Sequence, residues 1–389
     1  MNATTKFKVL LTLTALSAWI ILSSCSQQDS TATGDFEKQV GEYIQKFPYQ
    51  DTHNYATTYT QGDPAKFNTW VLGSEPVLVK AGRDKVVRMN NDTFYKMAFV
   101  VLDKGPVVLG SSAPAEDRFN SFQLMDDRNV NYRNVIYPKG QYTLYHGNKP
   151  ARIQGEAIKV PSKLSVIIVR VEVKDKGIAK DMAAAKKVFN GITIDGPTLD
   201  TMPELDLLSG FDNKTEEEAL RRMEQTYTKT AIRNLFVKIG QEPGKDISYL
   251  NLAAGTKCCW GGPDPAHSAY ETIFTDDAGN TLKGANGTYT ITTEEPQVDA
   301  FWSITVYDTE RGGFLHPNKH NRYHINNTSA ETNSDGTVTF TFKQTCREKD
   351  QNCLEVPAGA FDVAARYYLP KAQIISGKWT LSKATLQKN

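Results

Sequence analysis

Val298-Asp-Ala-Phe-Trp-Ser-Ile-Thr-Val-Tyr-Asp308 alternates between two kinds of side chain, the period of a β-strand whose faces meet different surroundings. Phe301, Ser303, Thr305 and Tyr307 share one face, and Ala300, Trp302, Ile304 and Val306 share the other. A turn-rich segment follows, and Thr337-Val-Thr-Phe-Thr-Phe342 then repeats the alternation. Asn286-Gly287 and Asp335-Gly336 are turn signals ahead of strands at 288–292 and 337–342, and 360–368 reads as a last long strand. The C-terminal third is therefore β-rich.

The N-terminal half has a similar texture. Short apolar runs at 76–80, 86–89, 93–102 and 106–109 are cut by Gly, Pro and Asp, while 118–125 and 165–172 alternate. This spacing predicts a sandwich or jelly roll over residues 65–175. Helical patterns separate the two blocks. Residues 179–189 are rich in alanine and lysine and stop before Gly191. Thr215-Glu-Glu-Glu218 reads as a capping box, after which Leu220, Met223, Tyr227, Ala231, Leu235 and Ile239 recur at helical spacing as far as Gly240. Residues 36–47 predict a short amphipathic helix with Val40, Tyr43 and Ile44 on one side. The expected fold is mainly β (α+β): two β-sandwich or jelly-roll-like domains at 61–178 and 246–389, a helical connector at 179–245, and a tether with a short helix at 26–60.

The chain has 389 residues, 40% hydrophobic and 23% charged, enough for two or three packed domains. Residues 1–25 are read as a targeting segment. Lys6 and Lys8 form a positive start, 9–22 is an apolar run too short for a comfortable membrane span, and Leu22-Ser23-Ser24-Cys25 resembles a bacterial lipoprotein lipobox. Lipidation at Cys25, with Ser26 following, predicts a cell-envelope lipoprotein held by palmitate-type chains at the outer membrane and facing the periplasm. Gln27 to Gly34 reads as a flexible tether. The two lysines before Cys25 leave 43 basic against 44 acidic groups, formally −1, which gives no support to a nucleic-acid partner.

Export gives the other cysteines a meaning. Cys346 and Cys353 are expected to form a disulfide closing a hairpin connection. Neighbouring cysteines rarely bridge each other, so Cys258 and Cys259 read either as small buried residues or as partners of other thiols. No CxxC or correctly spaced histidine accompanies them, and no metal site is expected.

Several separated motifs carry a resemblance. Met89-Asn-Asn-Asp-Thr-Phe-Tyr95 and Arg118-Phe-Asn-Ser-Phe-Gln123 resemble the first module of the bacterial proteins known as domain of unknown function 1254. Trp260-Gly-Gly262, 298–307, Pro317-Asn318, Asn321-Arg-Tyr323, Arg366-Tyr-Tyr-Leu-Pro370 and Gly377-Lys-Trp379 resemble the second module, domain of unknown function 1214. The resemblance implies two β-sandwich or jelly-roll-like domains with helices around them and a possible homo-oligomer; it implies no activity and no cofactor. Asn91, often arginine in relatives, the Cys258-Cys259 pair, and His316, His320 and His324 depart from that pattern.

Candidate chemistry follows from the polar motifs. Asp92, Tyr95 and Arg118 form a candidate catalytic set, an acid/base pair beside an anion-holding guanidinium, though such residues more often serve in turn bonding and structural ion pairs. Asn90, Arg88, Trp260, Gly261, Gly262, Trp302 and Tyr307 are candidate ligand-binding residues, with packing and tight turns as the alternative. His316, His320 and His324 are four residues apart, but Pro317, Asn318 and Asn321 make this a turn rather than a helix presenting a metal set. No P-loop and no G-x-S-x-G elbow occurs. The expected function is binding of a small polar molecule in an inter-domain cleft. The alternatives are a hydrolase or lyase using Asp92, Tyr95 and Arg118, or a structural assembly module.

Overall fold

The computed structural model describes residues 34–82, 88–112, 118–203 and 205–387. Its first half is a sandwich. One sheet has the strand order β1 (Thr93–Val101), β7 (Leu164–Glu172), β3 (Asn120–Asp126), β4 (Asn131–Ile136), all antiparallel. The other runs β6 (Glu156–Lys159), β5 (Gly140–Tyr145), β2 (Val107–Ser111), β8 (Ile192–Asp195), with β5 and β6 parallel. Between them pack Phe94, Ala98, Val100, Phe122, Val169 and Val171, and helix α2 (Ala179–Asn190) closes the core with Ala185, Val188 and Phe189. Because α2 and β8 are built into this sandwich, the first domain extends past residue 178 and the helical connector begins later than expected.

The second half repeats the architecture. One sheet has the order β12 (Phe314–Leu315), β11 (Trp302–Asp308), β16 (Phe361–Tyr368), β9 (Ser268–Ile273), with β13 (His324–Asn326) also on β11. Its partner runs β15 (Cys353–Glu355), β14 (Thr337–Lys343), β10 (Tyr289–Glu294), β17 (Thr385–Leu386). Trp302, Ile304 and Val306 point into this core with Ile291, Phe340 and Phe342. A short helix, α5 (Ala372–Ile375), seats Ile374 on the same core.

Helices fill the flank. Helix α1 covers 34–60, well beyond the 36–47 read from the sequence, because Thr52, Ala56 and Thr60 continue its buried stripe. Helix α3 (Asn213–Lys229) is capped by the Asp212 side chain, which accepts from the Thr215 N–H, so Thr215 is not the cap. It ends at Thr230, and its predicted continuation to Ile239 is instead a single 3-10 turn and loop. Helix α4 (Tyr249–Cys259) was not foreseen; Ser248 caps it, and it packs Ala253 and Ala254 against α1 and α3. The run 76–80, read as a strand, is irregular, with the Val79 carbonyl taken by the Asn91 side chain; 86–87 lies outside the described residues.

The two sandwiches meet through the outer faces of their buried sheets. On β11 and β16, Ser303, Thr305, Tyr307, Asp362, Arg366 and Tyr368 face away from their own core and are all buried. Phe301 stacks on Tyr368 with ring centres 4.1 Å apart, and Phe119 of the first sandwich lies 5.0 Å from Tyr368. β11 is thus buried on both faces, which explains why its polar residues alternate with apolar ones without reaching solvent.

Cys346 and Cys353 form the expected disulfide, with Cα atoms 6.0 Å apart, but β14 and β15 pair in parallel, so the connection it closes is a crossover loop and not a hairpin. The closed loop is short, so the bond is expected to contribute about 2–3 kcal/mol. Denaturation of the Cys346→Ser/Cys353→Ser variant beside the native chain checks this; equal midpoints with and without the bond exclude a stabilising role.

Candidate functional site

The segment 88–92 belongs to the first half of the chain but is bonded to the second. The Arg88 N–H donates to the Gly313 carbonyl at 3.0 Å, and its Nε and Nη2 donate to Asp362 Oδ2 at 3.2 and 2.7 Å. The Met89 carbonyl accepts from the Tyr307 hydroxyl at 2.6 Å. Asn90 Nδ2 donates to Ser303 Oγ at 3.2 Å and to the Tyr368 hydroxyl at 3.3 Å. Arg366 Nη2 donates to the Arg88 carbonyl and, at 2.9 Å, to the Tyr307 hydroxyl.

Beside this seam lies a cavity of about 90 Å³. Its polar wall is Arg88, Tyr95, Arg170, Tyr270 and Arg366; its apolar wall includes Met97, Ile168, Ile232 and Trp260. Strand geometry puts these groups opposite each other. Tyr95 pairs with Arg170 across β1 and β7, and Arg366 pairs with Tyr270 across β16 and β9. Each arginine stands over an aromatic face, Arg170 at 5.6 Å from the Tyr95 ring centre and Arg366 at 5.1 Å from that of Tyr270.

The Trp260-Gly261-Gly262 turn forms one end of the cavity and is fixed from both sides. Trp260 stacks on Tyr55 of α1, with centres 4.2 Å apart, and donates Nε1–H to Thr52 Oγ1 at 3.2 Å. The carbonyls of Gly261 and Gly262 accept from Gln123 Nε2 at 3.1 and 3.0 Å, and Gln123 Oε1 accepts from Arg170 Nη1. The turn therefore positions Arg170 through Gln123. A Cβ on Gly262 lands on the Phe236 ring, so the glycine is there for close packing. Gly262→Ala is expected to cost about 3 kcal/mol through overpacking; a denaturation midpoint within error of the native one contradicts this.

The predicted residues separate into two groups. Tyr95, Arg88, Trp260, Gly261 and Gly262 line the cavity. Asn90 and Tyr307 lie behind its wall, where Tyr307 holds Arg366. Trp302 is on the opposite face, in the second core, with Nε1 donating to Glu295 at 3.2 Å. A period of two cannot bring Trp302 and Tyr307 to one face, so they do not share a pocket. Arg118 turns away to Asp181 and to the Glu172 carbonyl at 2.8 Å. Asp92 is fully buried and does not line the cavity, and among the described residues its carboxylate oxygens make no well-formed hydrogen bond, the Ser303 hydroxyl acting on them only weakly. Burial pushes its pKa up to about 7, opposed by Arg366 and reinforced by Glu172. The trio Asp92, Tyr95 and Arg118 thus does not converge on one cavity.

Tyr270, expected to join Trp260 and Trp302 in an aromatic pocket, does line the cavity with Trp260 but not with Trp302; Arg170 and Arg366 were not read as site residues from the sequence. The signal for Arg170 was present: a charge inside the otherwise apolar stretch Val166-Ile-Ile-Val-Arg-Val171. Cys259 reaches the cavity wall, and its sulfur stands at disulfide distance from Cys258, contrary to the expectation for adjacent cysteines. Among the described residues no three His, Cys, Asp or Glu gather as a metal set. His324 is half-buried and held neutral, its pKa pushed down to about 3 by desolvation and by the nearby Lys176, with Nδ1 3.2 Å from Asn91 Oδ1. Cys25 lies outside the described residues.

Residues 71–196 match the family described as protein of unknown function DUF1254, and residues 267–372 match that described as protein of unknown function DUF1214. The chain is a two-module protein of these families, DUF1254 followed by DUF1214. The VPA0106 protein from Vibrio parahaemolyticus has a similar structure, with a TM-score of 0.70 and 18% identity, over 91% of this chain and all of that one. That likeness concerns the fold. A protein from Burkholderia cenocepacia aligns over 92% of this chain and 96% of its own at 14% identity, with a TM-score of 0.46. No curated protein matches the chain in sequence.

Proposed function

We propose that the protein binds a small polar molecule in the cavity between its two sandwiches. The observation that carries this reading is a pair of unsatisfied donors: Arg170 Nε and Arg366 Nη1 are buried, belong to cavity-lining residues, and have no acceptor among the described residues. Buried polar groups in native proteins are nearly always bonded, and each exception calls for a physical reason. A few convergent polar groups on a partly apolar cavity are the usual form of a small-molecule site. The hydrolase or lyase alternative is less favoured, because no carboxylate lines the cavity among the described residues.

The reading includes a lipid-anchored place in the cell envelope, supported by Lys6, Lys8, the apolar run after them and Cys25. Labelled palmitate should enter the native chain and not the Cys25→Ser variant; equal labelling of both removes Cys25 as the anchor. For binding, a thermal-shift screen of small acids, amides and sugars on the mature chain is the direct test. A ligand at one hundred times its Kd stabilises by about 2.7 kcal/mol. An unmoved melting temperature across the panel at millimolar concentration defeats the proposal.

A further inference from the structure

We infer that the ligand is a small monocarboxylate, its carboxylate held between Arg170 and Arg366 and its carbon skeleton laid against Trp260, Met97 and Ile168. This rests on the binding function proposed above and narrows it to one chemical class.

The charges at the cavity carry the argument. Arg88 is matched by Asp362, a two-point pair at 3.2 and 2.7 Å. Lys96, also at the wall, turns its ammonium to the Phe189 and Trp70 rings, 4.2 and 5.3 Å from their centres. Arg366 faces Asp92 and Asp362. Arg170 is different: the groups acting most strongly on it are the phenols of Tyr270, Tyr95 and Tyr368, and no carboxylate is among them. Its side-chain acceptor is the neutral amide of Gln123. A guanidinium that is 94% buried, with one N–H unbonded and no acid partner, stands in a costly position that an incoming anion relieves.

The shape narrows the anion. The guanidinium fork matches a flat carboxylate with two parallel bonds. About 90 Å³ accommodates roughly six non-hydrogen atoms, the size of a short monocarboxylate. Met97 and Ile168 continue the same face of β1 and β7 beyond Tyr95 and Arg170, and with Trp260 they give the remaining oxygens of phosphate or sulfate no side-chain partner and suit a short hydrocarbon tail.

The test pairs butyrate with butyramide, equal in size and different in charge, on the mature chain by calorimetry and thermal shift, with inorganic phosphate and sulfate beside them. Butyrate is expected to bind and to raise the melting temperature, with butyramide at least tenfold weaker. Arg170→Met is expected to lose at least tenfold in butyrate affinity. Should that variant fail to fold, Arg170→Lys, which keeps the charge and loses the fork, is expected to show the same loss. Equal binding of acid and amide, or phosphate binding more tightly than butyrate, overturns the carboxylate assignment while leaving a ligand in the cavity. Binding by none of the four, together with an unmoved broad screen, removes the cavity as a site altogether.

Discussion

Arg88→Met is expected to lower folding stability by about 3–5 kcal/mol, the range for stranding one member of a buried ion pair. The partner left behind is Asp362, with a side chain fully buried on β16; among the described residues Oδ2 is held only by Arg88 and Oδ1 is unbonded. The double variant Arg88→Met/Asp362→Leu is expected to recover a large part of the loss, because it removes the orphaned charge with its partner. Denaturant unfolding of the native chain, both single variants and the double variant gives the coupling directly. A double variant as unstable as the two losses added together contradicts the pairing.

Asp92→Asn is expected to stabilise the protein, and to do so more as the pH rises. The folded carboxyl keeps its proton to about pH 7, whereas the unfolded chain releases it near 3.8. Between those values the native state holds one more proton than the unfolded state, so this group weakens folding progressively as pH increases. Once both states are ionised the penalty is on the order of 4 kcal/mol, and the amide escapes it. The groups that act on Asp92 are Arg366 and Ser303, which favour its charged form, and Glu172, which opposes it; Lys176 also lies within reach. Asp51 and Asp127, raised to about 6 by burial, shift stability in the same direction but are common to both proteins. Unfolding free energies at pH 4.5 and pH 8.5 therefore isolate Asp92. A variant whose advantage is the same at both values shows an unshifted carboxyl, and one that is less stable at pH 8.5 shows an ionised partner of Arg366; either result contradicts the expectation.

Much of the fold was legible because strand alternation survives burial. Within 298–308 the strand begins at Trp302, and from there the two faces are as read, whereas Ala300 packs with Phe301 rather than with Trp302; 337–342, 165–172 and 93–102 all became strands close to their predicted limits. Helix limits were less legible. The stripe from Leu220 to Ile239 looked continuous, but Thr226, Thr228 and Thr230 weaken the helix, and the chain turns at Thr230 so that Leu235 and Phe236 can pack beside α4. Helix α4 went unseen because nearly all its sides are buried, leaving no polar face to set a period. The site was half legible. Tyr95 and Trp260 are conspicuous in sequence, whereas Arg170 and Arg366 sit on strands more than 190 residues apart, and only the meeting of two sheets makes them neighbours.

The seam between the sandwiches is threaded in both directions. Residues 88–92 leave the first unit to bond with β11 and β16, while the glycine turn after α4 reaches back to Gln123 on β3. Neither half is therefore a freely transplantable part. A chimera joining this N-terminal half to a distant relative's C-terminal half must carry matching groups at both crossings, or leave buried carbonyls and amides facing nothing. Drift at one crossing thus constrains the other, so the two halves are expected to diversify as a unit.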